Sequence, residues 1–164
     1  MEWEVTEKTG KGRFTAQTDY IFVYGTLMKG LANHDTYLAE RVGGPLPGEM
    51  KGELYHLKYG YPAAIDGPGR VKGEIYLLED ANELLPQLDY LEDFNQPGSE
   101  DLYKREIREV RDEHGNIIFC YVYLWSNNRI KELKENSVYI NNGDWKKFIS
   151  ENNCLAEDYC GGKR

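Results

Sequence analysis

The chain has 164 residues, a length that suits one domain able to bury a real core. Its 40% hydrophobic and 29% charged residues are ordinary for a globular protein, and a formal net charge of −8 argues against a general nucleic-acid binder, which needs a basic face to meet phosphates. No apolar run approaches the roughly 20 residues of a membrane span, so no membrane partner is expected.

The opening residues, Met1-Glu2-Trp3-Glu4-Val5, lack the basic and apolar regions of a signal peptide, so the expected location is cytoplasmic. Residues 1–19 read as an arm, with Trp3 and Val5 able to add an edge strand. The segment Tyr20-Ile21-Phe22-Val23 is rich in aromatic and β-branched residues and reads as a buried strand. It ends abruptly in Tyr24-Gly25-Thr26-Leu27. A glycine here makes either a plain turn or a close backbone approach, in which the amides around Gly25, Thr26 and Leu27 face a cavity and hold a carboxylate. Asn33 is placed to cap a short helix that buries Tyr37 and Leu38, and Gly43-Gly44-Pro45 should end it.

Strands are expected over residues 50–57 and 71–78, with a short extended piece at 61–65 and a turn at Gly67-Pro68-Gly69. The two longer strands echo each other as Lys51-Gly52-Glu53-Leu54-Tyr55 and Lys72-Gly73-Glu74-Ile75-Tyr76, and a glycine in mid-strand predicts a bulge or bend. Lys72, Glu53 and Glu74 read as a solvated charged face. Residues 80–94 form the principal helical segment, with Asp80 as its cap and Pro86 expected to kink or divide it. At 100° per residue Leu88, Leu91 and Glu92 share one stripe, whereas Asp89 and Asp93 point away. A carboxylate among leucines requires an explanation.

A hairpin follows: residues 102–110 alternate apolar and charged, and residues 117–125 are nearly all apolar or aromatic, so the second strand should be central. Residues 136–140 form a last extended segment, Asp144 caps a short final helix, and residues 151–164 are a polar tail. The three cysteines have no paired spacing. Cys120 reads as a core residue, Cys154 and Cys160 lie in the tail, and His34, His56 and His114 are scattered, so no metal site is expected.

Taken in order, Tyr24-Gly25-Thr26-Leu27, Asn33-His34, Gly52-Glu53-Leu54-Tyr55, Val71-Lys72-Gly73-Glu74, Leu88-Asp89-Tyr90-Leu91-Glu92 and Tyr103-Lys104-Arg105 resemble the γ-glutamylcyclotransferase-like family, in the branch with a Tyr-Gly-Thr-Leu loop. The resemblance spans residues 20–149, and residues 20–150 are taken as the domain. It implies an α+β fold, a small mixed β-barrel flanked by short helices, with its cavity at the end of the first strand. It also implies a small-molecule γ-glutamyl substrate, cyclised to 5-oxoproline with release of an amine. By carry-over Glu92 is the general acid/base, and Tyr24, Gly25, Thr26 and Leu27 bind the glutamyl carboxylate. The helix here ends Leu91-Glu92-Asp93-Phe94 where relatives often have Leu-Glu-Gly and an aromatic residue.

The chemistry of the residues agrees with that role. One buried carboxyl can take a proton from the attacking amine and return it to the leaving one, and no metal or organic cofactor is then needed. Tyr103 either lines the pocket with its hydroxyl or is an ordinary strand residue. Arg105 reads as structural, with Glu92 as one possible partner. Tyr121, Tyr123, Tyr139 and Trp145 read as core or rim packing. Two other functions stay open: a different amide-cleaving acyl transfer in the same pocket, and a non-catalytic small-molecule binding module on the same barrel.

Overall fold

In the computed structural model, residues 16–31, 33–38, 42–58, 60–91 and 102–152 are described. The strands are β1 (Tyr20–Val23), β2 (Val42–Leu57), β3 (Pro62–Leu78), β4 (Tyr103–Asp112), β5 (Ile117–Trp125) and β6 (Ser137–Tyr139). The helices are α1 (His34–Tyr37), α2 (Ala81–Leu91), α3 (Ile130–Glu135) and α4 (Trp145–Glu151). The sheet order is β3-β1-β5-β4-β2-β6, and a further β2–β3 pairing closes five strands into a barrel with β6 added outside. Among the described strands only β1 and β5 run parallel, meeting at Ile21 and Tyr121; the other pairs are antiparallel.

The all-apolar β5 lies between β1 and β4, as its lack of alternation requires. Phe22, Ile75, Met50, Val110, Cys120 and Val122 are all buried in the core. Burial pushes the Cys120 thiol up to about 12, in keeping with a packing role. Gly48 sits where β2 pairs with β3 and β4 together. A Cβ there would lie 2.8 Å from Ile75 Cδ1 and 3.0 Å from Val110 Cγ1, so only glycine lets the three strands converge.

Local punctuation is overridden in three places. Gly43, Gly44 and Pro45 belong to β2 rather than ending α1. Gly67, Pro68 and Gly69 stay within β3, but the β2–β3 register slips there: Lys51 faces Arg70 and Glu53 already faces Ile65. The extra residues of β3 are thus taken up opposite Gly52, at a mid-strand glycine where a bulge was expected. Pro86 lies inside one continuous helix, α2, because burial of Leu84, Leu85 and Leu88 holds both halves on the barrel. The short α3 and the 3-10 turn before it had no counterpart in the sequence reading. The expected edge strand at Trp3 and Val5, and both tail cysteines, lie outside the described residues. Among the described residues no helix is long and apolar enough to cross a membrane.

Candidate functional site

The chain turns sharply at the end of β1, and the turn is held from several sides. Met28 N–H donates to the Gly25 carbonyl at 3.0 Å, Leu31 N–H to Met28 at 3.0 Å, and Asn33 N–H to Thr26 at 2.9 Å. His34 Nδ1–H donates to the Leu27 carbonyl at 3.0 Å. Lys146 Nζ donates to the Lys29 carbonyl at 2.7 Å, and Lys29 N–H donates to Glu74 Oε1 at 2.8 Å. Every carbonyl from Gly25 to Lys29 therefore has a donor. The amides of Gly25, Thr26 and Leu27 have no acceptor among the described residues. Three consecutive donors at a turn form the kind of concavity that binds an anion. Contrary to the expectation that it caps α1, Asn33 makes no side-chain cap bond; its Nδ2 donates instead to Thr26 Oγ1 at 2.7 Å, a bond that braces the loop.

This loop forms one wall of a cleft of about 380 Å³, its solvent-open mouth included. Tyr24, Gly25, Thr26 and Leu27 meet there with Tyr61, Pro62, Tyr103 and Tyr123. Five residues singled out from the sequence are thus brought together. The Tyr103 ring lines the cleft, and its hydroxyl donates to the Pro62 carbonyl at 2.7 Å. The Tyr24 hydroxyl donates to the Tyr123 carbonyl at 2.5 Å and accepts from Ala64 N–H at 3.2 Å. These hydroxyls stitch β1, β3, β4 and β5 together around the cleft. Gly25 packs on Pro62, where a Cβ would lie only 2.8 Å from Pro62 Cγ.

Glu92 follows directly on α2 and lies outside the described residues. Up to that point the helix has the expected stripe, with Leu88 buried and Leu91 partly buried. Asp89, expected to point away, is instead half-buried and engaged. Arg105 Nη1 donates to both of its oxygens at 2.7 Å, and the Tyr123 hydroxyl donates to Oδ1 at 2.7 Å. One residue beyond Leu88, Asp89 lies on the flank of the apolar stripe, within reach of the β4–β5 surface. Burial pushes its carboxyl above the usual range, against the lowering by Tyr123 and Arg105. Because Tyr123 also lines the cleft, this network pins the last turn of α2 to the cleft wall.

Several other assignments change. Glu74 is not part of a solvated face: its side chain is 17% exposed and accepts from the Tyr76 hydroxyl at 2.8 Å as well as from Lys29 N–H. Glu53 accepts from the Tyr55 hydroxyl at 3.2 Å, whereas Lys72 is exposed. Tyr121 accepts from Gln17 N–H at 2.6 Å, Trp145 is buried, and Tyr139 is exposed on β6. Asp144 caps α4 as expected, accepting from Lys147 N–H at 3.0 Å. Glu74 and Asp89 were missed because their partners lie far along the chain. The one available signal was the repeated Lys-Gly-Glu, in which each glutamate immediately follows a mid-strand glycine.

Comparison with known proteins gives a consistent picture. Residues 21–147 match the family model described as gamma-glutamyl cyclotransferase, AIG2-like. A Drosophila melanogaster protein with a provisional gamma-glutamylcyclotransferase name, CG2811, is 32% identical over 65% of this chain and 69% of its own. The gamma-L-glutamyl-butirosin B gamma-glutamyl cyclotransferase of Niallia circulans is 30% identical over 78% of this chain and 76% of its own. Among solved structures, an AIG2-like protein from Mus musculus matches with a TM-score of 0.61 at 26% identity, covering 80% of this chain and 91% of that one.

Proposed function

Since the chain belongs to the AIG2-like gamma-glutamyl cyclotransferase family, we propose that it cyclises a γ-glutamyl group to 5-oxoproline and releases an amine, with Glu92 moving the protons. It is an enzyme of the cyclotransferase kind, and small γ-glutamyl compounds are the substrates its family suggests. The observation that carries the finer reading is the run of three amides, at Gly25, Thr26 and Leu27, that have no acceptor among the described residues and stand on the wall of an aromatic cleft. They are donors suited to the substrate's α-carboxylate, and the rings of Tyr103 and Tyr123 flank its carbon chain.

In this mechanism the Glu92 carboxylate removes a proton from the substrate's α-ammonium group. The freed nitrogen attacks the γ-carbonyl carbon, and a new C–N bond closes a five-membered ring. The bond from that carbon to the departing nitrogen breaks, and the proton held by Glu92 passes to the leaving amine. The ring nitrogen then gives up its second proton through the same carboxylate, so that the lactam keeps one N–H and the amine departs as its ammonium form. Both transfers run through one carboxyl, which works near neutral pH when burial raises its pKa. The reading that favours such burial is the sequence expectation, in which helical spacing sets Glu92 on one stripe with Leu88 and Leu91. Both reacting groups belong to one molecule, so holding it bent supplies much of the acceleration.

The test is 5-oxoproline release from γ-glutamyl amines, γ-glutamyl dipeptides, glutathione and γ-L-glutamyl-butirosin B, by wild type and Glu92→Gln. Turnover should fall by at least about a hundredfold in the variant, the usual scale of a lost general acid/base. Undiminished turnover in Glu92→Gln would remove Glu92 from the mechanism.

A further inference from the structure

We propose that Glu74 is a positioning residue that sets the geometry of the 25–29 loop, acting with Lys146 as a clip from outside the cleft. The proposal rests on the reading of that loop as the carboxylate site. Glu74 stands on β3 directly opposite Val23, the last residue of β1, so it sits beside the point where the loop begins. Its Oε1 accepts from Lys29 N–H and from the Tyr76 hydroxyl, both at 2.8 Å. Its Oε2 lies 3.4 Å from Lys146 Nζ of α4, and the same ammonium donates to the Lys29 carbonyl at 2.7 Å. Both polar groups of the Lys29 backbone are therefore gripped by one ion pair.

A second path runs through Tyr76. Its ring is tilted against His34 with centroids 5.5 Å apart, and His34 donates to the Leu27 carbonyl. Glu74 thus governs the loop at Lys29 directly and at Leu27 through two buried rings. The physical need is plain. A turn whose three amides have no acceptor among the described residues places like dipoles side by side, and their repulsion favours rotating one peptide out of line. Acceptors and donors fixed on β3 and α4 oppose that rotation before any ligand arrives, which is preorganisation of the site.

The consequence differs from that of a residue needed only for folding. A carboxylate is held equally in the ground and transition states, so a displaced loop raises KM and leaves kcat nearly unchanged. Loss of folded protein instead lowers the apparent kcat at constant KM. Glu74→Ala should raise KM about tenfold, the scale of one hydrogen bond to a charged group. Glu74→Gln, which keeps an acceptor for Lys29 N–H and Tyr76, should restore most of it. Lys146→Met acts at a half-exposed side chain that can be removed without unfolding the barrel, and should give a smaller rise in KM.

The experiment pairs these kinetics with amide chemical shifts and hydrogen exchange of Gly25, Thr26 and Leu27 in ligand-free full-length protein. Shifted, faster-exchanging loop amides together with a raised KM support the clip. Loop amides identical to wild type in Glu74→Ala and Lys146→Met overturn it and leave the carboxylate reading intact. Perturbed amides with an unchanged KM overturn the carboxylate reading, and the role of the clip in binding falls with it.

Discussion

Gly25 is the residue at which the site tolerates least. Its neighbour is a proline ring, which has no flexible end to swing aside, and a Cβ would lie 2.8 Å from Cγ and 3.1 Å from Cδ of Pro62. Either the loop or the start of β3 must move, and both line the cleft. Gly25→Ala should therefore lower kcat/KM by about ten- to a hundredfold, since displacements near 1 Å are that costly when catalysis depends on orientation. Thermal stability should fall by only a few degrees. A double variant adding Pro62→Ala should recover part of the activity, and the coupling measured in that cycle checks the contact. Additive losses would show that the two residues act separately.

At the scale of elements, α4 is tied to the barrel by a bond that depends on protonation. Trp145 Nε1–H donates to His56 Nδ1 at 3.0 Å, and the His56 ring lies against Trp145 and Phe148. Nδ1 must be unprotonated to accept, and burial lowers the His56 pKa below its ordinary value of about 6.5. The unfolded chain then binds the proton more readily, so stability rises with pH. The contribution is fully present above about pH 6.5 and is lost as pH falls through the folded-state value. Tm should drop by a few degrees between about pH 7 and pH 5, and His56→Gln should flatten that slope. An unchanged slope would remove His56 as its source.

How far these elements could be read from the sequence depended on the range of the forces that set them. The β4–β5 hairpin, the central place of β5, the stripe on α2 and the Asp144 cap follow from periodicity and local hydrogen bonding, and all were legible. The loop after β1 was legible as a set of residues, though not in its bracing. Asn33 bonds Thr26 rather than capping its own helix, a choice made by the fold of the loop. Asp89 meets Arg105 16 positions away, and Lys29 meets Glu74 45 positions away, so neither pairing leaves a local pattern. The run of β3 through Gly67, Pro68 and Gly69 was misread because closing the barrel outweighs the turn preference of three residues.

For the whole molecule, the decisive feature is the parallel contact between β1 and β5. The β2–β3 and β4–β5 pairs join strands that follow each other in the chain. Seating β1 requires Ile21 to find Tyr121, and the Tyr24 hydroxyl must reach a carbonyl 99 positions away. Closing so long a loop costs entropy that neighbouring hairpins avoid, which puts this contact late in folding. Val110→Ala should then slow refolding, whereas Ile21→Val should chiefly speed unfolding, a contrast that denaturant chevrons measure. A refolding rate lowered equally by both would contradict it. The 24–27 loop leaves directly from β1 and lines the cleft, so the cleft is complete only once β1 is seated. A ligand of that cleft should accordingly prolong the life of the folded enzyme without hastening its formation, and substrate supply would govern how long each molecule survives rather than how fast it matures.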